Sequence, residues 1–351
     1  MRQYLKELIV VAGIMFAPLS VSAQDFTLNT TTIGSIYDEE YEGLVVFKDY
    51  VETYSKGRIT VDLSTGGRYC SSGLECLKEI EAGDVDIFVS ISGASAQNFP
   101  FVQVLDVPYV IPNDRIAEMV FSSDFLVSMR VMGLGASSDK IRLMAIGNTG
   151  GWRSFANTQH RVEQPSDIYG LTIRTTPTDL SQEFVATLGA IPKPLAWPDL
   201  LPALRNELID GAKGSLIDFV AAKFPNVGLT YLTIDNHSYL ASLAWMNNDK
   251  FLSMPEDLRR VVTDGFFHFQ QSTFATHKRN SVIANESFRN EGGDLYVLTS
   301  AQRIAFEEAS IPVQDWFRNN VDGGHEILDE LKYAIIAAET TLRQNYVRDL
   351  N

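Results

Sequence analysis

The chain has 351 residues, of which 45% are hydrophobic and 21% charged, enough for two domains with sizeable cores and ordinary for a soluble globular protein. Its formal net charge of -15 argues against a nucleic-acid partner and against anionic membrane surfaces. At the N-terminus, Arg2 and Lys6 precede an apolar run from Leu8 to Leu19, and Val21-Ser22-Ala23 has the small residues of a cleavage site. Residues 1–23 therefore read as a secretory signal peptide cleaved after Ala23. The other reading, a buried first helix or a membrane anchor, is disfavoured because the run is short for a bilayer. Cleavage removes two positive charges and one negative, leaving -16, and no later stretch is apolar enough to span.

From Asp25 the pattern alternates strand and helix. Phe26 to Thr30 alternates as a strand, and a loop follows through Gly34-Ser35-Ile36-Tyr37-Asp38. Leu44, Phe47, Val51 and Tyr54 mark one face of a helix that Gly57 ends. Ile59, Val61 and Leu63 form a second strand, Leu74, Leu77 and Ile80 a short helix, and Val85 to Val89 a buried strand. This rhythm predicts a mostly parallel sheet flanked by helices. Ser90 to Ser95 is a small polar loop at a strand's carboxyl end, where Ser92 is a candidate ligand contact, although such loops are commonly only turn chemistry. Cys70 and Cys76, the two cysteines of the chain, are too few for a metal site and wrongly spaced for a redox pair. An exported chain meets an oxidising compartment, so a small-loop disulfide is expected.

Helical spacing returns from Asp114 to Leu134, and Arg142 to Ile146 reads as a strand. The glycine-rich Gly147-Asn148-Thr149-Gly150-Gly151-Trp152-Arg153 reads as a crossing between two lobes, a place for a hinge. Trp152 either covers a ligand there or fills the core. Gly170 to Thr175 reads as a turn and short strand with Leu171 and Ile173 on one face, so Arg174 points off that face at the strand's end. A guanidinium at the carboxyl end of a strand is placed to grip a carboxylate with paired donors; the plainer reading is a surface salt bridge. Leu180, Phe184 and Leu188 then show helical spacing. Tyr231–Ile234 and Tyr239–Asn247 read as two strands, and Pro255 opens a helical pattern that persists to about Asn290. Such a helix of roughly 35 residues is about 50 Å long. A strand at Asp294–Leu298 and helices from Ser300 to about Tyr346 follow.

The five histidines are scattered without metal-ligand spacing. No HExxH, GxSxG or GxxxxGK stretch occurs, and Gly133-Leu134-Gly135 lacks the third glycine of a dinucleotide loop. No cofactor, metal or catalytic residue is indicated.

The run Gly170-Leu171-Thr172-Ile173-Arg174, then Gly189-Ala190-Ile191-Pro192-Lys193-Pro194-Leu195-Ala196-Trp197 and Asp210-Gly211-Ala212, resembles the substrate-binding proteins of tripartite ATP-independent periplasmic (TRAP) transporters, the DctP family. Phe101 to Val110, Arg153 to Asp167, Tyr231 to His237 and Met254 to Arg259 are similar to further family segments, so the likeness spans nearly the whole mature chain.

The resemblance implies an α/β, two-lobe periplasmic binding protein fold with a helix spanning both lobes. Lobe I is expected at 24–150 plus about 236–275, and lobe II at 151–235 plus about 276–351, with hinges near 147–153 and 235–240. It implies a monomeric periplasmic protein, not an enzyme, that captures a small organic carboxylate and delivers it to a TRAP permease. Arg174 would be the clamp and Arg153 a second arginine, with Trp152, Asn148, Ser92, Tyr37, Lys213 and Ser215 as further candidate contacts. The alternatives are a secreted enzyme using the interlobe cleft and a ligand-presenting sensory protein. One departure stands out. The family's "DGAEN" would place asparagine at 214, yet Asp210-Gly211-Ala212 is followed by Lys213-Gly214-Ser215. Either Lys213 or Ser215 replaces the amide as a donor, or the pocket is remodelled; Lys213 simply solvated is the third possibility.

Overall fold

The computed structural model describes residues 25–350; the expected signal peptide lies outside them. Three parallel strands open the chain: β1 (Phe26–Thr32) between β2 (Ile59–Thr65) and β3 (Ile87–Ile91). Their connections carry α1 (Glu39–Tyr54) and α2 (Gly73–Ala82), the latter N-capped by the Ser72 side chain and ended by Gly83 in the left-handed region. The Cys70–Cys76 disulfide ties the stretch just ahead of α2 to the helix itself. After β3 come α3 (Ser92–Ser95), a 3-10 turn at Pro100–Asp106, α4 (Asp114–Phe121) and α5 (Asp124–Ala136).

The next strand, β4 (Ile141–Asn157), is 17 residues long. It leads to β5 (Thr172–Thr175), α6 (Asp179–Thr187), β6 (Ile191–Pro194), α7 (Trp197–Arg205), β7 (Gly211–Ser215) and α8 (Leu216–Ala221). A second 17-residue strand, β8 (Tyr231–Asn247), returns antiparallel to β4. The chain closes with α9 (Asn248–Ser253), α10 (Glu256–Asn290), β9 (Asp294–Val297), α11 (Ser300–Asn320) and α12 (Gly324–Leu350).

The nine strands among the described residues form one sheet in the order β2-β1-β3-β8-β4-β7-β5-β6, with β9 beside the first half of β8. The far half of β8 pairs with β3 and the near half with β9, so β4 and β8 carry the sheet from one lobe into the other.

This refines one expectation and corrects another. The segment read as a crossing, Gly147–Arg153, is itself strand, and 231–234 and 239–247, read as two strands, belong to one. The irregularity that sequence reading saw is real, but it takes the form of bulges. Thr149 and Gly150 are extra residues between the pairs Asn148↔Ala241 and Gly151↔Leu240, and Ile234 to His237 bulge out opposite Ser154. Bulges twist a strand and re-aim its side chains without ending it. Gly150 and Gly151 adopt positive φ here, and a methyl at Gly151 would overlap the His277 ring, so glycine is required.

The 35-residue α10 matches the length expected from its apolar stripe. Phe266 and Phe269 pack with Leu44 and Phe47 of α1 in one core, and Phe288 with Leu204 and Phe219 in another. A third core runs across the opposite side of the sheet, from Phe88 and Trp245 to Phe155 and Phe184. Burial of that continuous apolar surface, at about 25 cal/mol per Å², holds the two ends of the sheet in one body. The last helix, α12, lies against the Pro100–Asp106 turn, α4 and α5.

Candidate ligand-binding site

The carboxyl ends of the parallel strands β5 and β7 and the adjoining stretch of β4 meet between the two ends of the sheet. They bring three cations together. Arg174 is one residue from the end of β5, which begins after the left-handed turn at Gly170 and is held by Thr172 N donating to Asp210 Oδ2 at 2.8 Å. Its side chain is only 4% exposed. Nε donates to Leu195 O at 2.9 Å, and the guanidinium lies 5.7 Å from the centre of the Trp197 ring. Among the described residues no carboxylate forms an ion pair with it. Burial, reinforced by the charge of Arg153, pulls its pKa down to about 10.

Arg153 is equally buried but is paired with Asp106, whose second oxygen accepts from Ser92 Oγ. Lys213 is 2% exposed, with Nζ 5.2 Å from the Phe184 ring and no ion-pair partner among the described residues. Burial and then Arg153 push its pKa down to about 7. Register decides how these groups are distributed. Arg174 is opposite Ala212 while Lys213 is opposite Phe155, so by strand alternation the two leave the sheet on opposite faces. Their aromatic neighbours agree, Trp197 on one side and Phe184 on the other.

Two further clusters flank the cations. The β8 bulge presents Asp235 and His237. Asp235 Oδ2 is 2.8 Å from both Tyr109 Oη, which donates to it, and His237 Nδ1. Asp235 Oδ1 accepts from Phe155 N at 3.1 Å, and the carbonyl of Asp235 accepts from Arg303 at 2.7 Å. His237, packed against Phe155 and Phe184, is fully buried with Nε2 unpartnered, and burial lowers its pKa. On the other side, the first turn of α1 supplies Glu39 and Glu40, and α8 supplies Asp218. Glu39 accepts from Gly150 N at 3.2 Å and from Asn280 Nδ2 at 2.9 Å. Glu40 accepts from Thr32 Oγ1 at 2.9 Å. Burial raises Glu40 to about 8 and Asp218 to about 7.

Of the residues singled out in the sequence, Arg174, Arg153, Lys213 and Ser92 converge here; Lys213 is buried rather than solvated. Ser215 is buried beside them, but its Oγ caps α8 by accepting from Asp218 N at 3.0 Å. Asn148 braces the β4 bulge, with Oδ1 accepting from Gly151 N at 3.0 Å. Trp152 packs edge-on against Tyr239 with ring centres 5.0 Å apart and donates from Nε1 to Asp114 at 2.8 Å, which places it in interior packing. Tyr37 is 85% exposed on the surface, with no contact to the cations.

Sequence reading assigned no role to Trp197, Asp106, Glu39, Glu40, Asp218, Asp235 or His237. Asp106 could have been found, because a carboxylate inside the apolar run Phe101–Val107 must be neutralised or hydrogen-bonded.

The departure at 214 has a steric cause. A Cβ on Gly214 would sit 2.8 Å from two atoms of the Phe219 ring, which is fully buried. The ring occupies the space that a side chain at 214 would need, so the missing asparagine and Phe219 are one feature.

Residues 32–320 match the profile of bacterial extracellular solute-binding protein, family 7. The C4-dicarboxylate-binding protein DctB of Bacillus subtilis is 24% identical over 92% of this chain and 95% of its own length. The 2,3-diketo-L-gulonate-binding periplasmic protein YiaO of Escherichia coli is 24% identical over 91% and 94%. A TRAP periplasmic solute-binding protein from Ochrobactrum anthropi, solved with its C-terminus bound in the ligand-binding pocket, superposes with a TM-score of 0.83 at 22% identity, covering 92% of this chain and 98% of that one. The fold, the strand-end arginine and the profile agree: the chain belongs to the bacterial extracellular solute-binding proteins of family 7.

Proposed function

We propose that the protein is an exported, monomeric binding protein, cleaved after Ala23, that closes two lobes around a small organic carboxylate and hands it to a TRAP membrane permease. Family members work outside the cytoplasmic membrane with such a permease. The lobes are 24–150 plus about 236–275, and 151–235 plus about 276–351, with the bulged stretches of β4 and β8 as hinges. The family and its solved relatives are solute-binding proteins, which favours binding over an enzymatic reading.

One observation carries this reading: Arg174 is a buried guanidinium without a carboxylate partner, while Arg153 beside it has one. An uncompensated buried charge is costly, and an anion that supplies the missing partner is correspondingly well bound. Trp197, 41% exposed and next to Arg174, offers an apolar face for the rest of the ligand. Lys213 adds a second cation that binding of an anion would re-protonate.

A thermal-shift screen of the mature protein against small acids and their neutral amides tests this. A ligand at a hundred times its dissociation constant stabilises the fold by about 2.7 kcal/mol, several degrees in melting temperature. Acids should shift the protein and amides should not. Shifts confined to neutral compounds would exclude a carboxylate ligand.

A further inference from the structure

Arg174 and Lys213 are cations without counter-ions, yet the site does not carry an excess of positive charge. Asp218, within electrostatic reach of Arg174, groups with Glu39 and Glu40, and among the described residues none of the three forms an ion pair. Gly150 joins the group: its N–H donates to Glu39, and a methyl on its Cα would lie 3.0 Å from Asp218 Oδ2. Asp218 in turn acts electrostatically on both Glu40 and Arg174. Acidic residues in the first turn of a helix are ordinary, because they complement its positive end. That does not explain three carboxyls sharing a buried corner without a cation. Nor does it explain Glu40, which is 6% exposed and whose Oε1 has no hydrogen-bond partner at all.

Resting on the carboxylate reading above, we propose that the ligand also carries a hydrogen-bonding cationic nitrogen, which Glu40 and Asp218 receive while Arg174 holds the carboxylate. The transported class is then amino- or imino-acid zwitterions rather than simple or hydroxylated acids. An unpaired guanidinium on one side and the unpaired Glu40 and Asp218 carboxyls on the other match a ligand whose own charges cancel. A donor N–H would also satisfy the orphaned Glu40 Oε1. Burial raises the pKa of Glu40 and of Asp218, and a bound ammonium would draw both down again.

The test is calorimetry on the mature protein with matched pairs: alanine and lactate, aspartate and malate, glutamate and 2-hydroxyglutarate, together with the other common amino acids, proline and the corresponding decarboxylated amines. At least one zwitterion should bind tenfold or more tightly than its hydroxy-acid counterpart. Glu40→Gln should remove that preference, weakening the zwitterion at least tenfold more than its hydroxy-acid counterpart. Hydroxy acids binding as tightly as amino acids, or Glu40→Gln weakening both alike, overturns the inference but spares the Arg174 clamp. Amines binding without a carboxylate overturns the clamp instead. Silence across the whole set counts against the zwitterion class.

Discussion

Arg153 and Arg174 sit on two strands of the same sheet, β4 and β5, with β7 between them, and both are almost fully buried, yet they have different surroundings. Arg153 is locked to Asp106, which Ser92 also grips, so its charge is spent inside the protein. Arg174 has one carbonyl and one indole ring for company. A buried guanidinium with its carboxylate is architecture, whereas one without is a vacancy in the charge balance that a ligand can fill. Family resemblance alone places both arginines at the ligand, and the tertiary contacts separate them.

The largest expected effects fall on these two arginines and in opposite directions. Arg174→Ala should weaken ligand binding by about a thousandfold, roughly 3 to 5 kcal/mol, with the apo melting temperature unchanged or raised because an unpaired charge is gone. Calorimetry and a melt on the same sample read both. Asp106→Ala should do the reverse to the fold: it strands Arg153 and should cost roughly 3 to 5 kcal/mol of stability, measured by urea unfolding. If the two variants behave alike, the distinction between a spent and a free arginine is wrong.

Gly214→Asn sharpens the comparison on the Arg174 side of the sheet. Its Cβ would press on Phe219, so a loss of about 1 to 3 kcal/mol is expected from overpacking, and Gly214→Asn with Phe219→Ala should be less unstable than the simple sum. Strict additivity of the two in denaturant melts would dissociate them.

Titration gives the smallest effects. Glu40 has a folded pKa near 8, above its usual 4.5. Its contribution to stability is therefore complete below about 4.5 and lost as pH rises through 8. Glu40→Gln should gain stability relative to the parent protein as pH increases from 5 to 8; a constant difference in melting temperature would refute the shift. Lys213 has the opposite sign. Its folded pKa of about 7 lies below 10.5, so its contribution is present above 10.5 and lost as pH falls toward 7. A ligand that needs the ammonium should bind up to about tenfold more weakly per pH unit above 7, and Lys213→Met should abolish that slope.

The sequence determined a good deal by itself. Hydrophobic periodicity gave the βαβ opening, the 35-residue α10 and the terminal helices, because a helix or strand that buries one face must repeat at its own period. Arg174 was legible because Gly170 and the short apolar strand place it at a strand's end. The export expected from the N-terminal run led to an expected pairing of Cys70 with Cys76, and the structure contains that bond. What periodicity could not reveal were relations between distant segments. Glycine-rich Gly147–Gly151 looks like a loop locally and becomes strand only because β8 is there to hydrogen-bond it. The counter-ion of Arg153 lies 47 residues away, and Asp218 and Glu40 meet only across the fold. Whether a buried charge is satisfied is a property of its surroundings in space, and chain order carries no record of that.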